Sequence, residues 1–405
     1  MIHAVTTAYR ADVGAHGDAF GLHDDQWIAI ATLVAQAGLM PPAERQELLA
    51  KAVDLSQPLL GTALSRQSTD FEWEPSPPIA ADSILVVSDH IFQSGALHLA
   101  RATIDALLEA DPSLTPLQRG RALAKRARID GRLGRIDEAG DQYKEVTRLA
   151  RRSGILELRV RAWIGLAALA QMRGNYPQGM RYSRRAARLA DREGLPLLSR
   201  LAHTGLMITA GAQHRFDDAF HHARIAYRYS LGNALREGEI LANIGQLLLE
   251  AGHIALAERT FISVLRRSLP VRIVLPVLGS LAVTAAHRGD TARVRWVYSE
   301  LERLERATVT PPYDLAKALL DTASALSNVS QRADAERVLE AAVRIAQSGG
   351  YHEIVVRADD VRRARGSELF EQRQPTTGAL RLTDDLDAAD VADLPEHVGV
   401  VGTPV

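Results

Sequence analysis

Apolar residues along this chain recur three and four positions apart, as in Leu241, Ile244 and Leu248 and again in Phe261, Val264 and Leu265. That spacing lines one face of an α-helix. Gly252 stands between the two stretches, so the pattern predicts two helices joined by a tight turn. The run Gly134-Arg135-Ile136-Asp137-Glu138-Ala139 has the same form, a turn glycine with a small residue five positions later. Comparable runs stand at Gly95, Gly174, His214, Gly252, Gly289 and Ser330; with Gly134 included, the successive intervals are 39, 40, 40, 38, 37 and 41 residues. A steady period near forty is the signature of a solenoid of stacked helical hairpins.

Other positions fall into the same register. Seven residues before each turn stand Ser88, Ala127, Ala167, Met207, Gly245, Ala282 and Ala323; five after it stand Ala100, Ala139, Gly179, Ala219, Ala257, Val294 and Ala335. Small side chains are needed where two helices approach closely, and only Met207 and Val294 break the rule. Scarce aromatics and abundant Ala, Leu and Arg also favour helix over strand.

On these residues the chain resembles the tetratricopeptide repeat family, whose unit has Trp, Leu, Gly and Tyr on its first helix, Ala and Phe on its second, and Pro after it. Leu241-Ala242-Asn243-Ile244-Gly245 through Phe261 is the best single match. Trp163 takes the family's tryptophan position, Tyr143, Phe261 and Tyr298 its second-helix aromatic, and Asp111-Pro112 its closing dipeptide. His214, Met207 and Ser330 depart from the pattern. The resemblance covers roughly residues 82–347, in a longer unit similar to the variant found in many bacterial regulators. It implies an all-α fold, a right-handed superhelical solenoid of about seven to eight hairpins.

The domain reading follows. Residues 1–64 form an N-terminal helical region in which Trp27, Ala31, Gly38 and Ala43 take the relative positions of a degenerate repeat. Residues 65–80, with Pro75-Ser76-Pro77-Pro78, cannot sustain a helix and read as a linker. Residues 81–366 carry the array, ending in a capping helix over Tyr351 to Arg365. Residues 367–405 lack an apolar period and carry Asp384, Asp385, Asp387, Asp390 and Asp393, a disordered acidic tail by composition.

A net charge of −1 hides an asymmetry: residues 1–114 have 5 basic against 15 acidic side chains, and residues 115–200 have 20 against 8. In the resembled family the first helix of each unit lines a concave groove that clamps a partner. Carried onto this chain, that places Arg121, Lys125, Arg128 and Arg132 on one face of a helix. Arg161, Gln171 and Met172 continue it in the next unit, then Thr204 and Gln213, then Asn243 and Gln246. Guanidinium groups so arrayed suit an anionic partner, although arginine stems also cover apolar surface on any solvated face. A second run, Arg181, Arg184, Arg185, Arg188 and Arg192, falls on a second helix and on the convex side. The acidic tail is itself a complementary ligand for the basic face and would compete with a partner there.

Other chemistry is not in evidence. With no cysteine, thiolate metal sites, disulfides and cysteine nucleophiles are excluded. There is no P-loop, dinucleotide fingerprint, nucleophile elbow or zinc-protease helix, since His352-Glu353 lacks a second histidine. His203, His214, His221 and His222 are not expected to converge on a metal: His203 holds a core position, His214 a turn, and the adjacent pair diverges on a helix. No catalytic residue, metal or cofactor is assigned, and the chain is not expected to be an enzyme. No leader or bilayer-length apolar run is seen, so a cytoplasmic location without membrane contact is expected. The function expected is that of a regulatory scaffold or adaptor, holding a protein or peptide segment, acidic in character, in its groove. Two alternatives stand beside it: a regulator binding nucleic acid through the basic 115–200 block, against which the acidic flanks weigh, and a peptide-sensing signalling component. Imperfectly capped terminal repeats would offer a surface for self-association.

Overall fold

A computed structural model describes residues 79–110, 114–267, 269–307 and 310–364. The degenerate front repeat, nearly all of the 65–80 linker, the Asp111-Pro112 dipeptide and the acidic tail lie outside the described residues. Among these, fifteen α-helices and no strand are present. They pair as hairpins: α1 (Ile79–Ser94) with α2 (Leu97–Ala110), α3 (Pro116–Arg132) with α4 (Ile136–Ser153), α5 (Leu156–Met172) with α6 (Tyr176–Arg192), and α7 (Pro196–Ala212) with α8 (Phe216–Arg228). The series continues with α9 (Ala234–Glu250) and α10 (Ile254–Leu265), α11 (Val271–His287) and α12 (Thr291–Ala307), α13 (Pro312–Asn328) and α14 (Arg332–Ser348), and closes on the single helix α15 (His352–Ala364). None is long and apolar enough to cross a membrane.

The turns explain the period. All seven anchor residues have positive φ: Gly95, Gly134, Gly174, Gly252 and Gly289 at 94°, 84°, 71°, 87° and 72°, and, without the freedom of glycine, His214 at 58° and Ser330 at 62°. From α3 onward the residue after the anchor donates its N–H five residues back, as from Arg135 to Asp130, Asn175 to Ala170, Arg215 to Ala210 and Gln331 to Leu326, closing those first helices with a Schellman-type turn. The units that depart from the family pattern are therefore built like the rest. Helix starts are marked locally too: Thr115 and Gln118 make a reciprocal capping box with Pro116 behind it, and Asn175 and Asn233 cap α6 and α9.

Packing bears out both small-residue registers. Ser88, Ala127, Ala167, Met207, Ala282 and Ala323 are buried, as are Ala100, Ala139, Ala219, Ala257, Val294 and Ala335. Aromatics from second helices fill the space that glycines leave: a Cβ built on Gly165 would lie 2.0 Å from the Tyr143 ring, and one on Gly245 would lie 2.5 Å from Phe261. First helices also pack against the first helix of the next unit, and this stacking produces a continuous core from Leu123 to Ala358.

The array curls far enough that its ends meet. α11 packs against α1, and α15 against α5. The Tyr351 hydroxyl donates to the Arg132 carbonyl at 2.9 Å, and Arg132 reaches Asp314 at 3.0 Å across 182 residues of sequence. The turn at Gly134 lies against the backbone of Gly349. The capping helix thus has a second role: it seals the last unit and also closes on the first turn of the superhelix.

Candidate functional site

The first helices α1, α3, α5, α7, α9, α11 and α13 turn a polar face toward the interior of this closed turn. Arg121 donates to both oxygens of Glu157 at 2.9 Å, a fork matched to a carboxylate, and Arg161 shares Glu157 at 2.6 Å. Burial alone would raise the Glu157 carboxyl, but these two guanidinium groups hold it below the usual range. Lys125 is bonded to Asp89 on α1. Arg132 adds to its Asp314 bridge a stacking contact over the Tyr313 ring, 4.7 Å to the centroid.

Arg128 differs. It is exposed to water within the turn yet surrounded by protein, and its only recorded contact among the described residues is with the Phe92 ring, 4.5 Å from guanidinium carbon to centroid. No carboxylate pairs with it directly, although the charges of Asp89 and Glu239 act on it from farther off.

Farther along, Gln171 bridges α5 to α7 by donating to the Gly205 carbonyl at 3.0 Å and the Thr209 hydroxyl at 2.8 Å. Gln213 ends α7 as its C-cap residue and is half-buried. Asn243 spends its amide N–H on the Glu239 carbonyl at 2.9 Å, and its oxygen has no partner among the described residues. Gln246 donates to Glu250 and accepts from Ser280 at 2.6 Å. Thr204 turns back to the Arg200 carbonyl at 2.9 Å. Met172 belongs to the core, 7% exposed, because it closes the helix beneath the next unit rather than on the inner face.

Sequence reasoning placed the cations but missed the carboxylates opposite them. Glu157 stands four residues before Arg161, and Glu239 four before Asn243, so helical spacing alone sets both on the inner face. Asp89, Asp314, Arg200 and Arg272 come from other units and carry no local signal. Glu239 lies at the centre of this second set: Arg272 and Arg200 both pair with it. Burial would raise its carboxyl, but Arg272, Arg200 and Arg128 hold it down to about 2. On the opposite face of the array, Arg181, Arg184, Arg185, Arg188 and Arg192 are all exposed.

The histidines converge further than their sequence positions suggest. His203 Nδ1 lies 3.0 Å from His222 Nδ1, and its Nε2 lies 3.2 Å from Asp191. Among the described residues, no group of three or more such side chains is arranged to hold a metal ion.

No family model matches the chain, and no characterised protein matches it in sequence. Similar solved structures exist. A Rap protein in complex with competence and sporulation factor aligns over 92% of this chain and all of its own, with 14% identity and a TM-score of 0.50. NprR in complex with its cognate peptide NprX aligns over 91% of this chain and all of its own at 12% identity and a TM-score of 0.48. The apo form of the quorum sensor NprR from B. thuringiensis aligns over 85% and 100% of the two chains at 10% identity and a TM-score of 0.45. At 14% identity the likeness to the Rap protein establishes architecture alone, and with the helical hairpins described above that architecture is a tetratricopeptide-like helical repeat superhelix.

Proposed function

We propose that this chain is a regulatory, non-enzymatic repeat protein that binds a peptide segment of a partner on the inner face of its superhelical turn. The observation that carries this reading is the enclosed polar wall. Side chains from successive first helices face one another there, and two of them, Arg128 and Asn243, keep hydrogen-bonding groups unengaged within it. An unpaired amide oxygen suits a peptide N–H, since an extended segment presents its backbone groups along its length. The likeness in architecture to a Rap protein seen with competence and sporulation factor supports the same use of the fold. Nucleic acid is the less supported partner, because Arg121, Lys125, Arg132 and Arg161 in the 115–200 block already meet carboxylates at Glu157, Asp89 and Asp314.

Selection of a displayed random-dodecapeptide library on the full chain tests the proposal. Enriched peptides are then synthesised and their binding measured by fluorescence anisotropy. Peptides held by the wild type and weakened about tenfold by Asn243→Ala, the cost of one desolvated hydrogen bond, support the inner face as the site. If no peptide is enriched, or enriched peptides bind the variant equally, the reading is wrong.

A further inference from the structure

The charges inside the turn do not balance locally. Glu157 serves both Arg121 and Arg161, and Glu239 serves both Arg200 and Arg272, so two carboxylates are each shared between two guanidinium groups. Asp89 is taken by Lys125 and Asp314 by Arg132. Arg128, in the middle of this set, has no ion pair of its own. Burial, and after it the charge of Arg272, push its guanidinium below the usual range against the pull of Asp89 and Glu239, whereas Arg132, four residues on, is driven up by Asp314 against the same burial.

A second observation points the same way from a different element. Arg200 on α7 is 5% exposed, its Nε has no acceptor, and its one recorded bond to Glu239 is long at 3.3 Å. A buried guanidinium N–H without an acceptor is costly, as is a cation held among like charges. Among the described residues the Arg200 Nε finds no acceptor and Arg128 no ion pair, and such local conflicts are characteristic of sites completed by a ligand.

We infer that the inner face around Glu239, built by α1, α3, α7, α9 and α11, is an acceptor site for a carboxylate carried by the bound peptide, with Arg128 as its primary contact. This rests on the peptide-binding reading above and specifies its ligand as acidic. A carboxylate matches the two-pronged guanidinium edge in plane and charge. The Phe92 ring lies against both Arg128 and Arg272, 4.5 and 5.7 Å from guanidinium carbon to centroid, and steadies the Arg128 head without an ion pair. A carboxylate delivered here lowers the surplus without detaching Lys125, Arg132 or Arg272 from the carboxylates they already hold. The ligand is a segment of a separate partner, as in the peptide-binding reading above; the chain's own tail, with five aspartates in residues 384–393, is the competing occupant that the test distinguishes.

The test uses the full chain and two synthetic hexapeptide mixtures, blocked at both ends, identical except that one position in each member is Asp or Glu in the first and Asn or Gln in the second. Peptides retained after gel filtration are identified by mass spectrometry. Wild type should retain the acidic mixture about ten- to a hundredfold over its amide counterpart, as a charge-assisted hydrogen bond requires. Arg128→Met should abolish that preference, and Arg128→Lys, which keeps the charge but loses the fork, should retain part of it. Without peptide, Arg128→Met should melt at the same temperature as wild type or higher, because a like-charge conflict has been removed. A lower melting temperature means that Arg128 is a structural prop, and overturns the inference. Equal retention of both mixtures overturns it while leaving peptide binding intact; retention of neither overturns both readings. An acidic preference that emerges only when the five tail aspartates are changed to asparagine identifies the chain's own tail as the occupant and overturns the separate peptide.

Discussion

His214 and Ser330 hold left-handed backbone conformations at φ 58° and 62° in turns where the other five units have glycine. An L side chain there costs on the order of 1–2 kcal/mol, partly offset by the greater freedom glycine has in the unfolded chain. Replacing either with glycine should therefore stabilise the protein by about 0.5–1 kcal/mol, read as a higher urea midpoint with an unchanged slope. Gly289→Ala is the converse control, since φ is 72° and nothing lies within 4 Å of the added Cβ, so only backbone strain is introduced. A midpoint that rises in Gly289→Ala or falls in Ser330→Gly contradicts the assignment. A second residue-scale effect concerns pH. Burial first, then the charges of His203 and His221, depress His222 to about 4, against the opposing pull of Asp218. Between pH 6.5 and 4 the unfolded chain takes up a proton that the folded chain refuses, so stability falls as pH drops through that window and levels off below it. Solvent screening limits the loss at pH 5 to about 1 kcal/mol. Urea midpoints at pH 7 and pH 5 should differ in wild type and differ less in His222→Asn, the remainder coming from His98, His253 and His287, which burial also depresses.

At the scale of the helical hairpin, an aromatic on one helix occupies the space of an absent side chain on the next. The Gly165 Cα faces the buried Tyr143 ring so closely that Gly165→Ala must displace it, and overpacking of this kind costs about 1–3 kcal/mol. Thermal melting should show that loss, and Tyr143→Leu in the same chain should recover part of it by making room; additive losses in the double variant would mean that the two residues do not compete. This level of organisation was legible in the sequence. Small positions at fixed offsets from a turn anchor are a direct imprint of close helix approach, so Ala127, Ala139 and their equivalents were placed in the core without a structure. The anchors were legible for the same reason, even at His214 and Ser330, because the register rather than the residue type defines them. Within the candidate site the result is uneven. Helical spacing predicts that Arg121, Lys125, Arg128 and Arg132 share a face, but not that Asp89, Glu157 and Asp314 answer three of them. All three of those acids come from other units, and a charge count along the chain has no knowledge of what stands across the turn.

The closure of the whole molecule was not legible at all, and the reason is physical. Pitch is the sum of small rotations between successive hairpins, each fixed by packing details that no single repeat displays. The contact itself can be isolated by using the repeat as its own control. Gly134 and Gly174 occupy equivalent turns with φ of 84° and 71°. A Cβ at Gly174 meets nothing within 4 Å, whereas one at Gly134 would lie 2.6 Å from the Gly349 Cα, a backbone atom that cannot swing aside. Alanine at either position introduces the same left-handed strain, about 1 kcal/mol. Only Gly134→Ala also wedges the first turn of the superhelix away from the last, lengthening the hydrogen bond from Tyr351 to the Arg132 carbonyl and the bridge from Arg132 to Asp314. Amide exchange in α13, α14 and α15 should therefore speed up in Gly134→Ala alone, with a larger radius of gyration by small-angle scattering, while Gly174→Ala keeps wild-type values in both. If exchange at the far end responds equally to the two substitutions, the end-to-end contact does not hold the turn closed. The inner face would then be an open groove, and the charges along it would be screened by water rather than enclosed.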